Sequence, residues 1–279
     1  GYENLKNKIL DSIRFLNETN EEKKIKRLFG IENQYGSILY GSSGNGKTKL
    51  VEAIAKKENL YYIRVLSKDF ISNFRNDILE KINLIFEESK RLAKMTSLRK
   101  GILLFFDEFD SLAATNVLTN EVKGTLLDYL GKDNEGGLRN EESKIVFFAA
   151  TNHYDNIDEA IKRKGRIDIH VEFLNPTEKE GKRILQKKIT NDKYIKNIDN
   201  NLIDDIYSRI KANKKIKLEN IYKDVALTPN ELNPSGSEIV DALKEIKRKS
   251  FNMKKISNNQ LIIDNEVIND LFKIYTNNM

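Results

Sequence analysis

The chain has 279 residues, enough for one large core and a smaller one, so two domains are expected. It holds no cysteine and two histidines, which excludes disulfides, thiol catalysis, cysteine-ligated zinc and a histidine-rich metal centre. Lysine plus arginine (48) outnumber aspartate plus glutamate (42) for a net charge of +6, but the signs are interspersed, the pattern of a solvated surface rather than a nucleic-acid footprint.

Residues 1–29 carry helical periodicity (Leu5, Ile9, Ile13, Leu16, then Ile25 and Leu28), interrupted by polar Asn17 to Asn20. No secretory signal pattern opens the chain and no apolar run is long enough to span a membrane. The expected location is therefore the cytoplasm, with any membrane tether outside this chain. Ser37-Ile38-Leu39-Tyr40 then reads as a buried strand, and a helical pattern (Leu50, Val51, Ile54, Ala55) begins soon after it. Between them lies Gly41-Ser42-Ser43-Gly44-Asn45-Gly46-Lys47-Thr48, a complete G-x-x-x-x-G-K-T phosphate loop in its strand–loop–helix context. The glycines let successive N–H groups curl around phosphate oxygens at a helix N-terminus. Residues Gly41 to Lys49 are thus the expected contacts of a nucleoside triphosphate, with Lys47 on the β- and γ-phosphates and the Thr48 hydroxyl on Mg²⁺.

Further strand-like segments follow at 61–65, 102–106, 145–149 and 170–173, separated by helical patterns at 47–58, 70–94 and 119–130 and by a short one at 155–162. That alternation predicts an α/β fold whose parallel five-stranded sheet is flanked by helices, with ligands at the carboxyl ends of the strands. One such end is Asp107-Glu108, closing an apolar strand. Adjacent residues leave a strand in opposite directions, so Asp107 is placed to hold Mg²⁺ and Glu108 to orient or deprotonate an attacking water. Asn152 ends the next apolar run, where its amide reaches either the γ-phosphate or that water, or simply closes a turn.

Next come Ile157-Asp158-Glu159-Ala160-Ile161-Lys162-Arg163-Lys164-Gly165-Arg166-Ile167-Asp168. Together with the phosphate loop, Asp107-Glu108 and Thr151-Asn152, this segment resembles the AAA ATPases of the AAA+ superfamily, in the narrower AAA subgroup with the second region of homology. The resemblance runs over nearly the whole chain. It implies ATP and Mg²⁺ as ligands, Asn152 as sensor 1, and Arg163 and Arg166 as arginine fingers that enter a neighbouring subunit's site. A guanidinium supplied in trans meets charge on the side of the phosphates that the loop leaves open. The implied assembly is a homo-oligomer, a hexameric ring, acting on a polypeptide substrate or complex. An adaptor or N-terminal domain outside this chain and a nucleic-acid partner are the further partners considered.

After 174–176 the strand signal fades, and residues 177–190, 200–212, 235–249 and 264–276 read as helices. The expected division is a nucleotide-binding domain over 1–174 and a small helical domain over 175–279, with 213–234 as loop around Pro229 and Pro234. By the resemblance Gly236 approaches the nucleotide, though Ser235-Gly236-Ser237 also reads as an ordinary helix start. Phe74 aligns with the family's pore-loop aromatic but lacks its aliphatic and glycine neighbours, and it also fits as a core residue of the 70–94 helix. The expected function is a ring motor that remodels, unfolds or disassembles proteins. The alternatives are the ATPase module of a membrane-bound metalloprotease, or a nucleic-acid motor or loader.

Overall fold

The computed structural model describes residues 2–70, 75–95, 99–113, 119–131, 137–138, 144–196, 198–222 and 226–276. It divides into two compact units, one of residues 2–41 and 46–173, the other of 42–45 and 174–279.

The first unit opens with α1 (Tyr2–Asp11), a 3₁₀ turn (Arg14–Asn17) and α2 (Asn20–Leu28). Thr19 and Glu22 close a capping box at the start of α2, which is why the helix restarts after the polar break. The sheet strands are β1 (Ser37–Tyr40), β2 (Tyr61–Leu66), β3 (Ile102–Asp107), β4 (Ile145–Thr151) and β5 (Ile169–Glu172), all parallel in the order β2-β3-β4-β1-β5. Helices α3 (Lys47–Lys57), α4 (Arg75–Met95), α5 (Asp110–Ala113), α6 (Asn120–Leu130) and α7 (Glu159–Lys162) connect them. Both faces of the sheet are covered, so β3 and β4 read as unbroken apolar runs instead of alternating ones. One face packs Ile38, Leu104, Phe106 and Phe147 against Phe86 and Leu126. The other packs Leu39, Phe105 and Phe148 against Val51 and Ile54 of α3 and Ile9 and Ile13 near α1. The α/β class and the parallel sheet agree with the sequence reading.

Two details differ from it, and one expectation is not tested. The 155–162 pattern is a 3₁₀ turn (Tyr154–Asn156) followed by α7, because Asp158 caps a new helix by accepting the Ala160 N–H at 2.8 Å. Phe74 lies outside the described residues, which resume at Arg75.

The second difference is in the second unit, made of α8 (Glu178–Thr190), α9 (Asn200–Ile221), α10 (Pro229–Leu232), α11 (Gly236–Asn252), a two-stranded hairpin of β6 (Ile256–Ser257) and β7 (Gln260–Leu261), and α12 (Asn265–Thr276). Residues 213–221, expected as loop, continue α9. They hold neither glycine nor proline, and their lysine, leucine and glutamate residues favour helix. Lys214 adds a tie from this stretch to Glu238 on α11 at 3.0 Å. The core of this unit gathers Leu185, Ile206, Tyr207, Ile239, Ile246 and Ile268. No helix among the described residues is long and apolar enough to cross a membrane.

Candidate nucleotide site

In the first unit, the carboxyl ends of β1, β3 and β4 bring four predicted residues together. Gly46 sits in the left-handed region at φ 85° and precedes α3, so Lys47 is the first residue of that helix. Its side chain folds back across the loop, where Nζ donates to the Gly41 carbonyl at 2.7 Å and to Asn152 Oδ1 at 2.9 Å. Thr48 Oγ1 donates to Asp107 Oδ2 at 3.1 Å. Lys47 is only 8% exposed, and burial draws its pKa down to about 8 against the opposing pull of Asp107 and Asp110. Lys49, one residue further on, is exposed.

The two acids part by a different device from the one expected. The strand ends at Asp107, and Glu108 turns into the left-handed region at φ 54° instead of continuing it. Phe109 N–H is already committed to the Ala150 carbonyl at 2.8 Å, and the Glu108 carbonyl accepts Ser111 N–H at 2.9 Å, so the backbone must reverse at Glu108. A non-glycine residue held there costs of order 1–2 kcal/mol, and such strain collects at functional positions. The carboxylate of Asp107 is held by the Glu108 N–H on Oδ1 at 3.1 Å, while Glu108 itself is exposed.

Asn152 follows Thr151, whose hydroxyl donates to Asp110 Oδ1 at 2.6 Å and accepts the His153 N–H at 2.9 Å. That turn leaves the Asn152 amide facing Lys47. The arginine segment lies elsewhere in the unit. Asp168 accepts Gly165 N–H at 2.9 Å and Tyr35 N–H at 2.8 Å, pinning the segment to the start of β1. Arg166 is half-buried with its guanidinium on the Ala160 carbonyl at 2.6 Å, whereas Arg163 is exposed. Because β1 and β5 run parallel with Ser37 opposite Ile169, the arginines precede the amino end of the sheet and Lys47 follows its carboxyl end. The four residues of β1 separate Gly36 from Gly41, five steps or about 16 Å of extended chain. That exceeds the length of an arginine side chain.

In the second unit, Gly44 stands at φ 81°, and a Cβ there would collide with the Ser237 side chain. Its carbonyl accepts Ser237 N–H at 3.1 Å and lies against Gly236. Asn45 donates to Asn175 Oδ1 at 2.9 Å, while Ser42 and Ser43 are exposed. Gly236 is the first residue of α11, capped by Ser235 with Glu238, so the helix-start reading of this segment holds.

Sequence reasoning missed Arg64. It donates to Asp107 Oδ2 at 2.6 Å, and the only signal was a lone cation inside an apolar strand. Asp110 and Lys123 were also missed. Lys123 holds Asp158 Oδ2 at 2.6 Å, a tie between α6 and the cap of α7 that no local pattern announces.

The donor set suits a hard divalent cation that shares substrate phosphates: one hydroxyl, one carboxylate and no dedicated cage. Among the described residues no group of three or more histidine, cysteine, aspartate or glutamate side chains converges on a metal position.

A family model described as "ATPase family associated with various cellular activities (AAA)" matches residues 37–175. The ATP-dependent zinc metalloprotease FtsH of Karelsulcia muelleri is 27% identical over 95% of this chain and 41% of its own length. The proteasome-activating nucleotidase of Methanocaldococcus jannaschii is 34% identical over 56% of this chain and 35% of its own. A cell division cycle protein 48 homologue of Archaeoglobus fulgidus is 31% identical over 56% of this chain and 20% of its own. The chain thus spans less than half the length of each of these three relatives.

Proposed function

Since residues 37–175 make this chain a member of the AAA ATPases, we propose that it hydrolyses ATP with Mg²⁺ and uses the energy to remodel, unfold or disassemble protein substrates. The observation that carries the reading is Lys47 bridging Gly41 and Asn152 beside the Thr48–Asp107 pair, all at the carboxyl ends of β1, β3 and β4. The proposed division is a nucleotide domain over 1–174 and a small helical domain over 175–279.

The proposed roles follow from the chemistry of each group. The N–H groups of 41–49 cradle the phosphates, and Lys47 places a cation on them. Thr48 and Asp107 would hold magnesium, which when bound neutralises developing charge on the phosphate oxygens. Glu108, strained and exposed, orients or deprotonates the attacking water, and Asn152 fixes it. Gly236, which lies against Gly44 of the phosphate loop within the second unit, is the glycine that the resemblance assigns to nucleotide binding. Arg163 and Arg166 act on the site of a neighbouring copy in a ring, the hexamer of the resemblance, since the sheet separates them from their own Lys47. The work is placed in the cytoplasm, where ATP is supplied.

Glu108→Gln tests this reading. Turnover should fall by about 10²–10⁴ while nucleotide binding persists, the range expected for loss of a general base. The trapped complex should retain its client for identification by mass spectrometry. Wild-type turnover in that variant, or a wild-type chain that binds no nucleotide, would sink the proposal.

The FtsH relative aligns along 95% of the chain, which favours a second reading as the ATPase module of a metalloprotease. No H-E-x-x-H occurs in these 279 residues, so peptide hydrolysis would need another segment. Stimulation by unfolded polypeptide supports either reading, whereas stimulation by single-stranded DNA alone would move the assignment to a nucleic-acid motor.

A further inference from the structure

Arg64 lies on β2 opposite Phe105 of β3, two residues before the Leu66–Asp107 pair. Strand alternation puts Tyr62, Arg64, Phe105 and Asp107 on one face of the sheet, the face covered by α3, whose second residue is Thr48. The guanidinium therefore reaches along that face to the metal-side carboxylate. Its Nη2 lies 2.6 Å from Asp107 Oδ2, the same oxygen that accepts the Thr48 hydroxyl. The Asp107 side chain is 13% exposed and that of Arg64 is 43% exposed, so the pair is shielded on one side and open to entering ligands on the other.

Resting on the reading of Thr48 and Asp107 as the magnesium side of the site, we propose that Arg64 is a positioning residue that serves as the resident counter-ion of Asp107 and sets how much divalent cation nucleotide binding requires. Without Arg64 two donors still hold Asp107, the Thr48 hydroxyl and the Glu108 N–H. Removing the arginine therefore changes the local charge more than the position of the carboxylate. A fixed positive charge bonded to that carboxylate competes with a dication for it. A partly exposed pair of this kind is screened by water, so the change is set at roughly 3- to 10-fold in cation requirement.

The test is a Mg²⁺ titration of binding by a fluorescent, non-hydrolysable triphosphate analogue to the full chain. In Arg64→Ala the half-saturating Mg²⁺ concentration should fall roughly 3- to 10-fold. Affinity for the analogue at saturating Mg²⁺ should stay near wild type, and Arg64→Lys should restore the wild-type half-point. Thermal melting checks that each variant folds, and Arg64→Gln and Arg64→Met carry the titration should the alanine variant fail. A half-point that does not move, or that rises, overturns the inference. Wild-type protein that binds no analogue at any Mg²⁺ concentration would instead overturn the site reading, and this inference with it.

Discussion

At the scale of single residues, Lys47 shows what the loop costs the molecule before any ligand arrives. Its ammonium has left bulk water for acceptors that include the Gly41 carbonyl and Asn152 Oδ1, and the residue is 8% exposed. Burial holds its pKa at about 8, whereas a lysine in the unfolded chain titrates near 10.4, so the folded state disfavours the charge. Below pH 8 both states carry the proton and the full penalty stands. Between about pH 8 and pH 10 the unfolded chain binds more protons than the folded one, so stability rises with pH. The melting temperature of the nucleotide-free protein should therefore climb over that window by a component that Lys47→Met removes, a difference that calorimetry of the two proteins will read. Phosphates restore the charge, so binding near pH 8.5 should draw a proton from buffer, detectable by titration calorimetry in buffers of different ionisation enthalpy.

At the scale of elements, α7 is a single turn that delivers the arginine segment, and its placement depends on Asp158. That carboxylate caps α7 through Ala160 N–H and binds Lys123 of α6, while its own N–H donates to the Ala113 carbonyl at 3.0 Å. The Lys123 hydrogen bond, followed by the Ala160 N–H, holds its pKa below the ordinary aspartate range. Asp158→Ala removes a cap and leaves Lys123 without its carboxylate, which should cost about 2 kcal/mol in urea unfolding. Turnover should fall further than that loss explains, with analogue affinity unchanged, because the displaced element is the one that carries Arg163. Equal effects on affinity and turnover would mean that α7 serves the phosphate site directly.

At the scale of the whole molecule, the parallel sheet sets Arg163 and Lys47 at opposite ends of its strands, so a lone chain cannot complete the proposed site. Turnover per subunit should rise steeply with protein concentration and then level, measured by phosphate release across the assembly range. Arg163→Ala should abolish turnover while sparing ATP affinity, and Lys47→Ala should be inactive as well. An equal mixture of the two should regain up to about a quarter of the wild-type rate, since random head-to-tail pairing places an intact cradle beside an intact arginine that often. A mixture as inactive as its parts would refute the trans arrangement.

The phosphate loop, the five strands and the Asp107-Glu108 pair were legible in the amino-acid sequence because each is local: glycine spacing, apolar runs and a strand end are set by neighbours in the chain. The length of α9 was misjudged for the converse reason, since its polar lysine-rich half carries little apolar periodicity and gains the Lys214–Glu238 tie only once α11 is beside it. Arg64 on Asp107, Lys123 on Asp158 and Tyr35 on Asp168 join residues 35 or more positions apart. Strand order and the packing of helices beside the sheet decide such pairings. What the sequence determined by itself was which chemical groups the chain owns and the local elements that bear them. Only the tertiary structure decided which charges meet, because register and parallel stacking, not spacing along the chain, set the distance between them.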